Sequence, residues 1–264
     1  MSTILYDIRT TENAKRTLER ITNIPFSVWE KEPQKISNTD EHILYVTNKF
    51  HGKIVPFSSY ELVFDHLTSS SNGCQSIKQY GLQELPDVYK NTQSELRIFL
   101  DKHGIKIFID EAILSYGSKK FDITYKGSSL FLSDEEKAAS RIGYRLYKDK
   151  CVCGFLSLEK KRPYMTRVDE KPEILLDIGE LIKMDIAEEW KYTHEKYVIT
   201  SIVDSSCIIP DCDRGTPESQ ITINYTVLAF WNCFEENERI LLCKDGTSIL
   251  PYNIIGVRPF SVWR

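Results

Sequence analysis

Three short stretches hold the side chains with which this chain could do chemistry. In His66-Leu67-Thr68-Ser69 an imidazole and two hydroxyls close an apolar run and can hydrogen-bond a polar ligand. In the stretch from Gly127 to Ser133 an aromatic ring, Phe131, stands two positions before a hydroxyl, and the helix expected to follow carries Tyr144 and Tyr147 on one face. Glu218 follows a Gly215-Thr216-Pro217 turn and offers a carboxylate, the group a reaction with developing positive charge requires. Glu173, Glu195 and Glu235 are poorer candidates for that carboxylate, and Asp211 and Asp213 read as turn formers.

Other chemistries lack their residues. No GxGxxG follows a strand, and GxxxxGK[ST], HExxH and GxSxG are absent. Two-histidine phosphoesterases use a pair of H-x-[ST] tripeptides, but the remaining histidines stand in EHIL, FHGK, KHGI and THEK, so a phosphoesterase is a minor alternative. Cys151 and Cys153, and Cys207 and Cys212, lack the CxxC spacing of zinc knuckles, and His103 and His194 show no partnered spacing; no metal site is expected.

The elements that must position these groups follow from periodicity. TTENAKRTLERIT places Ala14, Leu18 and Ile21 on one helical face behind a threonine cap. HILYVT, KIVPF and ELVFDHL read as strands. NGCQSIKQYGL reads as a short helix with a polar cap, Ile77 and Tyr80 inward and Gly81 as left-handed exit; SELRIFLDKHG repeats the pattern with Leu96, Phe99, Leu100 and Gly104. Short strands are expected at 106–108 and 121–125, and Ser133-Asp134-Glu135-Glu136 is a capping box opening a helix to about Tyr147. Beyond it come a strand CVCGFL, a helical stretch ILLDIGELIKMDIAEEW, a strand YVITSIV and an acidic loop over 204–219. ITINYTVLAF alternates Ile221, Ile223, Tyr225 and Val227 with Thr222, Asn224 and Thr226, the period of a strand with one polar face, and RILLC and NIIGV close the fold.

With 264 residues, 41% apolar and 27% charged, the chain has the composition of a folded protein, and one elaborated domain over 1–264 is expected. The net charge of −4 argues against a general polyanion binder. Lys102, Lys106, Lys119, Lys120 and Lys126 crowd one stretch and Lys160, Lys161, Arg162 and Arg167 another, and both read first as solvated faces. Without an apolar leader or a run of about 20 apolar residues, a cytoplasmic protein with no membrane association and reduced cysteines is expected.

In this order and context the three stretches resemble the ADP-ribosyltransferase fold. That family has an H-x-T strand end followed by a helix closing on Gly-Leu, here His66 to Gly81-Leu82. The middle stretch is similar to its G-x-Y-x-[ST] strand leading into an alanine-containing helix, here Ala138-Ala139. Phe131 stands where the family presents a tyrosine to the nicotinamide, keeping the aromatic face and losing the hydroxyl. The resemblance implies an α+β fold with a split antiparallel β-sheet core, flanking helices and a helical insertion at 83–126; residues 1–60 would add an N-terminal helix and strands to a core at 61–264. It implies NAD as substrate, bound by His66, Thr68, Ser69, Phe131, Ser133, Tyr144 and Tyr147, with Glu218 catalytic. It further implies a nucleic-acid acceptor ahead of a protein one, a toxin or anti-phage defence role, and an antitoxin or inhibitory partner. Phe131, Tyr144 and Tyr147 are also readable as core or rim residues, and a non-catalytic interaction protein on such a scaffold is the alternative.

Overall fold

A computed structural model describes residues 3–32, 38–127, 131–158, 170–211 and 215–260. The segment 128–130, Cys212, Asp213 and the basic run Lys160, Lys161, Arg162 and Arg167 lie outside the described residues. The chain begins with β1 (Ile4–Tyr6), α1 (Thr11–Thr22), α2 (Phe26–Lys31), α3 (Thr39–Lys49) and β2 (Tyr60–Ser70). Then come α4 (Gln75–Tyr80), α5 (Leu85–Lys90), α6 (Glu95–Lys102), β3 (Ile105–Phe108), β4 (Ile113–Tyr116), β5 (Lys119–Asp122), α7 (Asp134–Tyr147) and β6 (Cys153–Ser157). The last elements are α8 (Glu173–Ile182), α9 (Ile186–Thr193), β7 (Glu195–Asp204), β8 (Ile208–Ile209), α10 (Glu218–Asn232), β9 (Arg239–Cys243) and β10 (Ile254–Pro259). The protein is thus mixed α and β with largely antiparallel sheets.

These elements form two compact units. The first comprises Met1–His66, Cys153–Arg162 and Thr200–Cys243; the second comprises Leu67–Val152, Pro163–Ile199 and Lys244–Arg264.

In the first unit the strand order is β7, β2, β6, β9, β8, with β1 parallel to β2 and Ile4 opposite Tyr60. Tyr6 stacks on Tyr60 at 5.5 Å and its hydroxyl donates to the Tyr225 carbonyl at 2.8 Å, fastening the sheet to α10. Helix α10 is where the alternating strand was expected, so that reading is corrected. Its buried residues Thr222, Tyr225, Thr226, Ala229 and Phe230 recur at helical spacing. Thr226 returns its hydroxyl to the Thr222 carbonyl at 2.8 Å, so a threonine that looked like a solvent-facing residue can be buried. Packing against α1 and α3 outweighs the β propensity of the β-branched run. The strand reading of HILYVT is corrected in the same way: Asn38 caps α3 by accepting from the Asp40 N–H at 3.0 Å, and His42, Ile43, Val46 and Thr47 are buried. KIVPF is irregular, its Lys53 and Val55 N–H groups bonding the Thr22 and Ile21 carbonyls at the end of α1.

The second unit has one continuous apolar core formed by α5 to α9 and the sheet β3-β4-β5. The insertion expected to be helical therefore includes a three-stranded antiparallel sheet, and its middle strand β4 was not foreseen. Helix α7 begins with the expected capping box and lies so close to the segment before it that a Cβ on Gly143 would stand 1.9 Å from the Ile123 carbonyl oxygen. Arg141 and Arg145 of α7 both bond Asp177 of α8, at 2.7 and 2.8 Å. The long helical stretch is broken at Lys183, which adopts φ 60, into α8 and α9. Gly81, at φ 83, ends α4 as expected and brings Leu82 into a bridge with Ile249.

Candidate functional site

The polar end of β2 in the second unit carries a network of hydroxyl, carboxylate and imidazole groups. Ser70 donates to Glu95 Oε1 at 2.6 Å and accepts the Cys74 N–H at 2.7 Å, while Ser71 gives its N–H (2.7 Å) and hydroxyl (3.0 Å) to Glu95 Oε2. Glu95, the first residue of α6, is only 12% exposed and thereby fixes the turn that follows the strand. His194 Nε2 lies 3.5 Å from the same carboxylate, and its ring stacks on Trp190 at 3.6 Å. Trp190 in turn donates its indole N–H to Ser69 Oγ at 2.7 Å. These contacts pin the strand end from below.

Beside it, β7 opens on an exposed carboxylate. Strand β7 is the hydrogen-bonded neighbour of β2. Thr200 of β7 donates to Asp65 of β2 at 2.6 Å, while the Tyr197 hydroxyl, nearer the start of β7, lies 3.9 Å from where a Cβ on Gly73, just past the end of β2, would stand. The two strands are therefore antiparallel. Tyr197 donates to Glu195 Oε2 at 3.3 Å, and its phenol is held above its usual pKa by burial first and by the Glu195 charge second, so it remains a donor. The Cys74 thiol beneath is pushed up to about 11 by burial and is no nucleophile at neutral pH. The result is a carboxylate with a phenol partner beside a hydroxyl-lined strand end, which can hydrogen-bond a diol and oppose a developing positive charge.

The residues expected from sequence fare unevenly. His66, half-buried at the edge of the first unit, donates Nδ1–H to the Cys153 carbonyl at 2.8 Å, which leaves Nε2 as an acceptor; burial lowers its pKa, so the ring is neutral. Alternation puts His66 and Thr68 on one face of β2 and Ser69 on the other, where its hydroxyl is taken by Trp190. Ser133 is used in capping α7. Tyr147 donates to the Ile109 carbonyl at 2.7 Å and packs on the core, and Tyr144 meets Tyr125 at 5.2 Å, the core and rim roles. Phe131 is 97% exposed, not a core residue.

Glu218 opens a helix and not the expected strand. As the first residue of α10 it accepts the Ser58 N–H at 3.1 Å, a bond that lowers its pKa. Ser58 lies just before the start of β2, and His66 lies roughly 20 Å further along that strand at about 3.3 Å per residue. Glu218 and His66 cannot grip one ribose. Of the poorer candidates, Glu173 is paired with Arg145 at 2.8 Å, whereas Glu195 stands at the β2 end. Sequence reading missed Glu95, Trp190, His194 and Tyr197. The spacing of four between Trp190 and His194 was a usable signal, because such residues share a helical face.

Three imidazoles predict a pH response. Burial depresses His66, His194 and, between Trp29 and Phe230 in the first unit, His42. Below the ordinary value of about 6.5 the unfolded chain takes up protons that these native histidines refuse, so stability is lost as pH falls through that value. The urea midpoint should be lower at about pH 5.5 than at about pH 7.5, with a shallower change in His42→Gln; an equal or higher midpoint at the lower pH would contradict this.

Among the described residues no group of three His, Cys, Asp or Glu is placed to hold a metal ion, the six described cysteines are free thiols, and no helix is long and apolar enough to cross a membrane. No family model, curated protein or solved structure matches this chain.

Proposed function

We propose that this protein is an ADP-ribosyltransferase that consumes NAD as substrate, with Glu195 as its carboxylate. The observation that carries the reading is the Glu195–Tyr197 pair at the head of the strand neighbouring β2, whose end in the same unit bears Thr68. Cleavage of the nicotinamide–ribose bond creates an oxocarbenium-like centre, against which a fixed carboxylate gains most in the transition state. Glu195 accepts a ribose hydroxyl and opposes that charge, Tyr197 holds the carboxylate, and Thr68 offers a hydroxyl. Glu95 keeps the strand end rigid without touching the ribose. The resemblance adds a macromolecular acceptor, nucleic acid ahead of protein, and a toxin or anti-phage defence role with an inhibitory partner.

One observation favours a non-catalytic interaction protein instead: Phe131, expected to meet nicotinamide, presents an almost fully exposed ring. Incubating the protein and cell extract with NAD labelled in its adenylate, followed by separate nuclease and protease digestion, distinguishes the readings. Transfer of label to nuclease-sensitive material is expected. Label removed by protease alone would make the acceptor a protein, and absence of any macromolecular label would favour the interaction protein.

A further inference from the structure

We infer that the outer face of the β3-β4-β5 sheet is a docking surface for single-stranded nucleic acid. The register makes this face explicit. Ile107, Leu114 and Phe121 are paired across the three strands and are buried in the core, so the rows on either side of them point outward. One outward row is Lys106, Ser115, Lys120; the other is Phe108, Ile113, Asp122. At about 4.8 Å between strands, the Lys106 and Lys120 backbones are roughly 10 Å apart, with a hydroxyl residue between them.

The charges on this face are unequally answered. Asp122 is paired with Lys126 at 3.2 Å, and Lys102 is paired with Glu189 at 3.0 Å. Lys106, Lys120 and the adjoining Lys119 have no ion pair among the described residues and are exposed. The acidic turn Asp110-Glu111 borders the other row and leaves the lysine row as the cationic side. Phe108, on the strand position next to Lys106 on this face, is 43% exposed. Free ammonium groups beside an exposed ring on a sheet match a strand of phosphates with unstacked bases, since every base has a face to stack and every phosphate a charge to pair. A duplex hides its base faces, and an acidic polypeptide has none, so the ring selects single-stranded nucleic acid.

Binding is read without NAD, so its failure leaves the transferase proposal standing, and loss of transferase activity says nothing about this face. The experiment is fluorescence anisotropy of a labelled thymidine oligonucleotide with the full chain across a salt series. With two or three phosphates engaged, log affinity should fall with log salt at a slope of about −1.4 to −2. Lys106→Glu with Lys120→Glu should weaken binding at least tenfold and flatten the slope, and the milder Lys106→Gln with Lys120→Gln should make it shallower by about 0.7 per lost contact. Phe108→Ala should weaken binding about fivefold or more without changing the slope, because stacking releases no counterions. Unchanged circular dichroism keeps these variants interpretable. Absence of binding at about 50 mM salt, or equal binding by all variants, would overturn the proposal. Polyglutamate competing as well as the oligonucleotide, with Phe108→Ala neutral, would overturn it in favour of a protein partner.

Discussion

Replacing Glu195 by glutamine is expected to slow nicotinamide release from NAD at least a hundredfold while leaving NAD affinity within about threefold. The amide keeps the shape of the side chain and its contact with Tyr197 but removes the negative charge, and that charge is felt most when the ribosyl centre becomes cationic. Glu218→Gln should retain activity, because Glu218 serves the Ser58 N–H at the opposite end of β2. An active Glu195→Gln protein together with an inactive Glu218→Gln protein would contradict the placement of the reaction at the end of β2.

The second large effect is on stability. Trp190→Ala should cost about 3–5 kcal/mol, the range for deleting a large buried aromatic. Trp190 is 2% exposed, meets Phe99 edge-on at 5.0 Å and stacks on His194, and its loss leaves a cavity beneath the strand end. Its indole N–H also satisfies Ser69, so Trp190→Phe, which keeps most of the packing, should still cost about 1–3 kcal/mol. Chemical denaturation measures both. A Trp190→Ala protein within about 1 kcal/mol of the parent would show that this residue does not support the β2 end.

What the sequence discloses about this fold is what local chemistry dictates. The Ser133 to Glu136 box, the Thr10 cap of α1 and the left-handed Gly81 are each decided by contacts within a few residues, and each stands where the sequence places it. The misread elements depend on distant partners. In α10 five of the seven residues from Ile221 to Val227 are β-branched, which resembles a strand until α1 and α3 select the face holding Thr222, Tyr225 and Thr226. The same limit applied to the site. A turn such as Gly215-Thr216-Pro217 precedes a helix as readily as a strand, so it could not rank Glu218 above Glu195. That ranking turns on which strand neighbours β2, a pairing of residues more than a hundred positions apart that no local pattern records.

The most direct measurement is nicotinamide release when the purified, unmodified chain is incubated with NAD alone and with added RNA, DNA or protein. Release is predicted, faster with a nucleic-acid acceptor than without one. Intact NAD under every condition, with the protein folded, would contradict the proposal that this chain is an ADP-ribosyltransferase.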